Sequence, residues 1–188
     1  MTFTQLETPR LYIRPFKDDD LETLVAYRSH PEVELYQMWQ NYNQAQAKDL
    51  ISSNKYLDFN QGGRFQLALE SKLTNKLMGD LYLRIDENDK RLGEVGYTLS
   101  RDYQKQGLAT EALQALLSYC FEILQMHRLS ATADPRNLPS LKLLERLGFQ
   151  REAYFIKSLW FKGDWADDVV YALLKEDWLT HQGLLSVK

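Results

Sequence analysis

Leu11 and Ile13 alternate with Arg10, Tyr12 and Arg14, the period-2 spacing of a half-buried strand, and Pro15 closes the run. Asp18, Asp19 and Asp20 then precede Leu21, Leu24, Val25 and Arg28. That pattern predicts an amphipathic helix with acids in its first turn, where the peptide dipoles favour negative charge, and with Pro31 as its limit. The stretch from Pro31 to Asn60 reads as helical, most firmly from Gln44 to Asp58, although its apolar positions are sparse and aromatic-rich. Gly62 and Gly63 punctuate the chain before three strand-like runs, Phe65 to Glu70, Leu77 to Ile85 and Leu92 to Leu99. Asp86, Glu87, Asn88 and Asp89 form a polar turn between the last two, so an antiparallel meander is expected.

The second half changes period. Leu108, Ala112, Leu113, Leu116, Leu117, Cys120, Phe121 and Leu124 recur at helical spacing between Gly107 and Gln125, the stripe of a helix packed on a sheet. Arg128 to Ala133 reads as a short strand and Asn137 to Leu147 as a helix stopped by Gly148. Phe149 to Phe161 and Trp165 to Leu174 read as two strands about the turn Lys162, Gly163 and Asp164. The order β, α, α, three β, α, β, α, β, β predicts a mixed α/β (α+β) fold. Where a meander strand leads into a helix and then a parallel neighbour, its carboxyl end faces a crevice suited to ligand; that junction is Leu99 to Gly107.

Composition narrows the function. With 188 residues, 44% hydrophobic and 26% charged, the chain can bury a core without disulfide or metal staples. The balance of 23 basic against 26 acidic residues, net charge -3, and the lack of any run of five like charges argue against a nucleic-acid partner. Cys120 is the only cysteine, which points to a reducing compartment. The polar start, Met1 to Pro9, lacks the apolar region of a signal peptide, and the longest apolar run, Val169 to Leu174, is far short of a membrane span. A cytoplasmic protein without a membrane partner is therefore expected. The three histidines, His30, His127 and His181, suggest no metal centre.

The chemistry concentrates at Tyr103 to Glu111. A helix that begins here leaves several backbone N–H groups without partners and collects partial positive charge at the same place, which suits an anionic phosphate. Gly107 permits close approach to the backbone, Ala109 keeps the second turn low and Thr110 adds a hydroxyl. The plainer reading is that Gly107 starts a helix and Glu111 complements its dipole. The string lacks both the Gly-Lys-Ser/Thr ending of a nucleoside-triphosphate loop and the three glycines of a dinucleotide fingerprint.

Gln104 to Ala109 resembles the R/Q-x-x-G-x-G/A acetyl-CoA motif of the GNAT N-acetyltransferase superfamily. Gly96, Tyr97 and the run Gln106 to Ala112 are similar to the G-Y-…-Q-G-x-A-T-E-A segment of its ribosomal-protein-alanine N-acetyltransferase-like branch. Thr8, Pro9, Arg10 and Leu11, the N-x-x-S spacing of Asn137 and Ser140, the E-R-L-G-F of Glu145 to Phe149, and Trp165 to Leu174 ending in Y-A-L-L extend the likeness over about residues 8 to 178. The resemblance implies a single GNAT domain over 1–188. Its sheet would be mostly antiparallel, of about seven strands, splayed between the fourth and fifth and flanked by about four helices. It also implies acetyl-CoA as co-substrate: backbone groups of Tyr97, Thr98 and Leu99 would pair with the pantetheine arm. Amides of Gln104, Lys105, Gln106, Gly107, Leu108, Ala109 and Thr110 would hold the pyrophosphate, and Asn137 would contact the cofactor while also reading as a helix N-cap ahead of Pro139.

The implied reaction is attack of an amine on the thioester. Glu94, two residues before Gly96 and on the same strand face, is the candidate base; its alternative is an ordinary solvent-facing glutamate. Many superfamily members carry a tyrosine just before the E-K-x-G-F segment, where this chain has Leu144. Ser140 is then the candidate acid, unless it is a plain first-turn helix residue and the thiolate leaves toward water. The acceptor surface is expected from Ser29 to Tyr56 and the last hairpin, whose aromatics (Tyr36, Trp39, Tyr42, Trp160, Phe161, Trp165) and acids (Glu32, Glu34, Asp164, Asp167, Asp168) suit a cationic amine. Such aromatics also suit a core or a homodimer contact. The acceptor is a protein N-terminal amine or a small amine, and the alternative to an enzyme is a non-catalytic acyl-CoA-binding regulatory module.

Overall fold

The computed structural model describes residues 2–183, so both ends of the expected 1–188 span lie outside the described residues. The chain opens with β1 (Thr2–Phe3), β2 (Leu6–Glu7) and β3 (Leu11–Arg14), followed by α1 (Leu21–Arg28), α2 (Pro31–Glu34) and α3 (Gln44–Ser53). After β4 (Leu57–Asp58) comes the meander β5 (Gly63–Ser71), β6 (Leu77–Ile85) and β7 (Leu92–Leu99). Then follow α4 (Leu108–Ser118), β8 (Arg128–Ala133), α5 (Leu138–Arg146), β9 (Gln150–Phe161), β10 (Asp164–Leu174) and α6 (Lys175–His181).

Eight strands form one sheet in the order β2-β3-β5-β6-β7-β8-β10-β9. All neighbours are antiparallel except β7 and β8, which run parallel and pair only at Leu92–Arg128, Gly93–Leu129 and Glu94–Ser130. Beyond Glu94, β7 stays with β6 as far as Leu99, opposite Gly79, and β8 stays with β10 as far as Ala133, opposite Val169. Each strand keeps its outer neighbour while the inner edges part, which is the expected opening between the fourth and fifth core strands. Along β5, Leu67 and Leu69 join the core beneath α4, whereas Ala68 joins a second core with Leu24, Tyr27, Ala47 and Ile51 of α1 and α3. Alternation therefore puts helices on both faces.

Several expectations need correction. The sheet has eight strands rather than about seven, β1 and β4 pair separately, and six α-helices rather than about four are present among the described residues. Two-residue strands have no period to read, and α6 has only Trp178 and Leu179 as apolar positions; the buried Trp178 packs on Phe121 at 5.4 Å. The helix expected to run to Gln125 ends as α at Ser118 and widens into a π turn at Tyr119–Ile123, with Leu124 N–H bonding Tyr119 O at 3.0 Å. The wider turn buries Cys120 and Phe121 side by side. The expected helical stretch from Pro31 to Asn60 breaks between α2 and α3. Asn41 there has φ 51°, and Asn43 caps α3 by accepting from the Ala45 amide at 2.9 Å. Arg14, outward by parity, is 5% exposed because it bonds both Asp20 (2.8 Å) and Glu70 (2.5 Å); Asp20 thus serves an ion pair rather than the dipole of α1.

Candidate active site

The parting of β7 and β8 leaves two facing strand edges whose backbone N–H and C=O groups have no strand opposite, a ready partner for an extended chain carrying amides. A cavity of about 590 Å³ occupies the split. It is lined by Val95 to Leu99 of β7, Ala131 to Ala133 of β8, the loop before α4, the start of α5 and residues of α2. Of the residues named from the sequence, Tyr97, Thr98, Leu99, Gln104, Lys105, Gly107, Leu108, Ala109, Thr110, Asn137 and Ser140 line it; Gln106 and Glu94 do not.

The loop before α4 presents its amides as the sequence suggests. Lys105 and Gly107 take left-handed backbone conformations, φ 59° and 76°, which turn successive N–H groups toward one concavity. The amides from Lys105 to Thr110 find no acceptor among the described residues. Side chains brace the loop from outside: Gln104 Nε2 donates to Leu99 O at 3.1 Å and Gln106 Nε2 to Asp102 O at 2.8 Å.

A latch from the start of the chain holds the loop from behind. Glu111 Oε1 accepts from Thr8 Oγ1 (2.6 Å) and the Arg10 amide (2.9 Å), and Oε2 accepts from Arg10 Nε (2.6 Å). Arg10 Nη1 also donates to Gln106 O at 2.9 Å. Burial alone would raise the Glu111 carboxyl, but the bonds from Thr8 and Arg10 outweigh it and hold the group below the usual range. In the sequence Thr8 and Arg10 stood in one motif and Glu111 in another, with nothing local to join them.

On the far wall, Asn137 caps α5 and lines the cavity, its Oδ1 accepting from the Ser140 amide at 3.4 Å. Tyr97 Oη donates to Ser140 Oγ across the split at 3.0 Å, a side-chain contact that reasoning from the backbone of Tyr97 missed. Leu144 is 2% exposed. Glu94 sits at the last paired position of β7, where Arg84 Nε reaches its Oε2 at 3.1 Å. Asp134 lines the cavity; burial raises its carboxyl, but Arg136, 2.5 Å away, lowers it further. Burial pushes Asp168 above its usual range; the Val169 amide opposes this, and the charges of Asp134 and Glu94 add to it.

Over the other end of the cavity α2 forms a bridge. Glu32 pairs with Arg101 at 3.0 Å, next to the amide loop, and the Glu34 carbonyl accepts from Lys162 Nζ at 2.6 Å, at the tip of the last hairpin. The expected acceptor aromatics divide. Tyr36 lines the cavity, and Trp160 and Trp165 stand exposed as an edge-to-face pair at 5.5 Å. Trp39 and Tyr42 instead stack on Arg28, at 4.2 and 5.2 Å, over the second core. His30 caps α2, its Nδ1 accepting from the Glu32 amide at 3.2 Å.

Comparison with known proteins bears on this geometry. The Acetyltransferase (GNAT) domain family matches residues 10–150. The N-acetyltransferase YnaD of Bacillus subtilis is 31% identical over 175 residues, covering 92% of this chain and 98% of the relative. The [ribosomal protein uS5]-alanine N-acetyltransferase of Escherichia coli is 39% identical over 84 residues, 45% of this chain and 43% of that one. The crystal structure of a GNAT-family acetyltransferase from Bacillus anthracis superposes with a TM-score of 0.83 at 28% identity, covering 92% of this chain and 99% of the other. A split sheet, a cradle of free amides at its mouth and these relationships agree: the chain belongs to the GNAT family and is an N-acetyltransferase.

Proposed function

We propose that the protein transfers the acetyl group of acetyl-CoA to the free α-amine of a polypeptide N-terminus. The observation that supports it most is the continuity of the cavity, which runs from the free amides of Lys105 to Thr110, along the opened edge of β7, to the bridge of α2. In this reading the amides hold the diphosphate, Tyr97 to Leu99 pair with the pantetheine arm, and Asn137 borders the thioester. The amine enters beneath α2 and the last hairpin.

The preference for an α-amine follows from proton energetics. Freeing the lone pair of a lysine-like amine at pH 7 costs about 4 to 5 kcal/mol, whereas an α-amine near ~8 costs roughly 1.4 kcal/mol. Glu94 stands at the apex of the split but shares its carboxylate with Arg84; it acts as base through water, an arrangement that suits an amine needing little help. The exposed Leu35, Met38, Trp160 and Trp165 flank the bridge and offer apolar contact to the residues after a polypeptide N-terminus. The acceptor of the Escherichia coli relative, a ribosomal protein, points the same way and fits a cytoplasmic site of action.

Thiol release and mass spectrometry test the proposal. The protein is incubated with acetyl-CoA and peptides bearing free or blocked N-termini, an internal lysine peptide and a polyamine. One added acetyl group on free N-termini alone is expected. Preferential acetylation of the polyamine would replace the polypeptide reading. Stabilisation by acetyl-CoA with no thiol release from any amine would overturn turnover itself.

A further inference from the structure

We propose that Tyr97 is a positioning residue for the leaving sulfur: it holds Ser140 so that the serine hydroxyl donates into the cleft, and the pair stabilises the departing thiolate by hydrogen bonding without passing it a proton. The inference rests on the acetyl-transfer reading. Tyr97 rises from β7 and Ser140 from the first turn of α5, so their 3.0 Å bond joins the two walls of the split. Because the phenol donates, the serine keeps its own proton free, and that proton has no acceptor among the described residues. Asn137 fixes the serine backbone through O at 3.0 Å and Oδ1 at 3.4 Å. The side-chain torsion is the remaining freedom, and Tyr97 removes it. Both residues line the cavity. Leu144, one turn beyond Ser140, is apolar and buried and offers no hydroxyl.

Acidity decides between a hydrogen bond and a proton. A thiol titrates near ~8.5 and a phenol near ~10, with an aliphatic alcohol weaker still. Burial pushes the Tyr97 phenol up. Moving a proton from either hydroxyl to a thiolate therefore runs uphill. Donating a hydrogen bond does not, and the N-terminus of α5 adds a favourable dipole. In the balanced step the amine nitrogen bonds the acetyl carbon, the C–S bond breaks with its electron pair going to sulfur, and the ammonium proton leaves to solvent. Products are the amide, the thiolate and a hydrated proton.

The test titrates the thiol of bound coenzyme A by thiolate absorbance in the wild type, Ser140→Ala, Tyr97→Phe and the double variant, with kcat and KM measured alongside. The bound thiol is expected to titrate below the free one. Ser140→Ala should raise its pKa by about one unit and lower kcat about tenfold, at unchanged KM for acetyl-CoA. Tyr97→Phe, which keeps the ring, should show about a third of each effect in the wild type and none in Ser140→Ala. Equal losses from Tyr97→Phe in both backgrounds, or a bound thiol indifferent to Ser140, would overturn the inference. If the wild type acetylates no amine the transfer reading fails, while the thiol titration still decides the Tyr97–Ser140 pair.

Discussion

Replacing Glu111 by Gln tests whether the latch at the start of the chain shapes the amide loop before α4, the proposed site for acetyl-CoA. The carboxylate is 16% exposed and accepts from Thr8 Oγ1, the Arg10 amide and Arg10 Nε. Gln keeps one oxygen for Thr8 and the amide but turns an NH₂ toward Arg10 Nε, a donor against a donor. The Arg10 side chain is 50% exposed, so the lost ion pair is worth only about 0.5–1 kcal/mol after screening. Weakening the two remaining charge-assisted bonds adds about 1 kcal/mol. Some 2 kcal/mol lowers Tm by roughly 4–8 °C in a chain of this size. Acetyl-CoA affinity should fall about fivefold, because Arg10, no longer fixed by Glu111, holds Gln106 O less firmly. The pH sign is fixed by the depressed carboxyl: stability from Glu111 is full above its ordinary value of 4.5 and is lost as pH falls through the lower folded value. The Tm gap between the two proteins should be constant from about pH 7 to 5 and close below about pH 4. Calorimetry gives Tm and isothermal titration gives affinity. A lower Tm with unchanged acetyl-CoA affinity refutes the coupling to the loop, and a gap that persists at acid pH refutes the charge argument.

Gly107→Val places a β-branched residue at φ 76°, strain of about 1–2 kcal/mol that the loop relieves by moving; acetyl-CoA should bind at least about tenfold more weakly, and unaltered binding would speak against the amide cradle. Arg28→Met removes the charge partner of Asp80, which is 1% exposed and paired at 2.7 Å, and leaves it the Tyr27 hydroxyl as a neutral donor; denaturant unfolding should show a loss of about 3–5 kcal/mol, and a loss under about 1 kcal/mol would mean the pair is dispensable. Lys162→Ala frees the hairpin tip from Glu34 O and should raise KM for an acceptor peptide severalfold while leaving that for acetyl-CoA alone; parallel changes in both would show that the bridge serves the whole cavity. Cys120 is fully buried with its thiol pushed well above the usual range, so a thiol reagent should label it only as fast as the protein unfolds, and rapid labelling of the native state would contradict the packing.

The legible parts of the fold are those whose information is local. β5, β6, β7, α4, β8 and α5 carry clean periods over six or more residues, and their order alone placed a crevice at Leu99 to Gly107. Arg14 was unreadable because parity assigns a charged residue to solvent, and only the fold brings the carboxylates of Asp20 and the distant Glu70 together around it. The segment from Leu35 to Tyr42 was unreadable for a related reason: Trp39 and Tyr42 find their place against the guanidinium of Arg28, not along a helix face of their own.

The same division runs through the site. The amide cradle was readable since unpaired helix amides and a glycine are consequences of adjacent residues. The contacts that tune it join residues far apart: Tyr97 and Ser140 are 43 positions apart, and Thr8 and Glu111 are 103 apart. Sheet topology brings such partners together, since a parallel neighbour needs a crossover and so delivers the start of α5 to the strand that left the meander. The binding geometry of this GNAT chain is therefore written in short motifs, whereas the orientation of its hydroxyls and carboxylates is written in the crossovers. A variant that preserves every motif but slips the β7–β8 register should still hold the diphosphate and yet separate Tyr97 from Ser140, losing turnover before it loses binding.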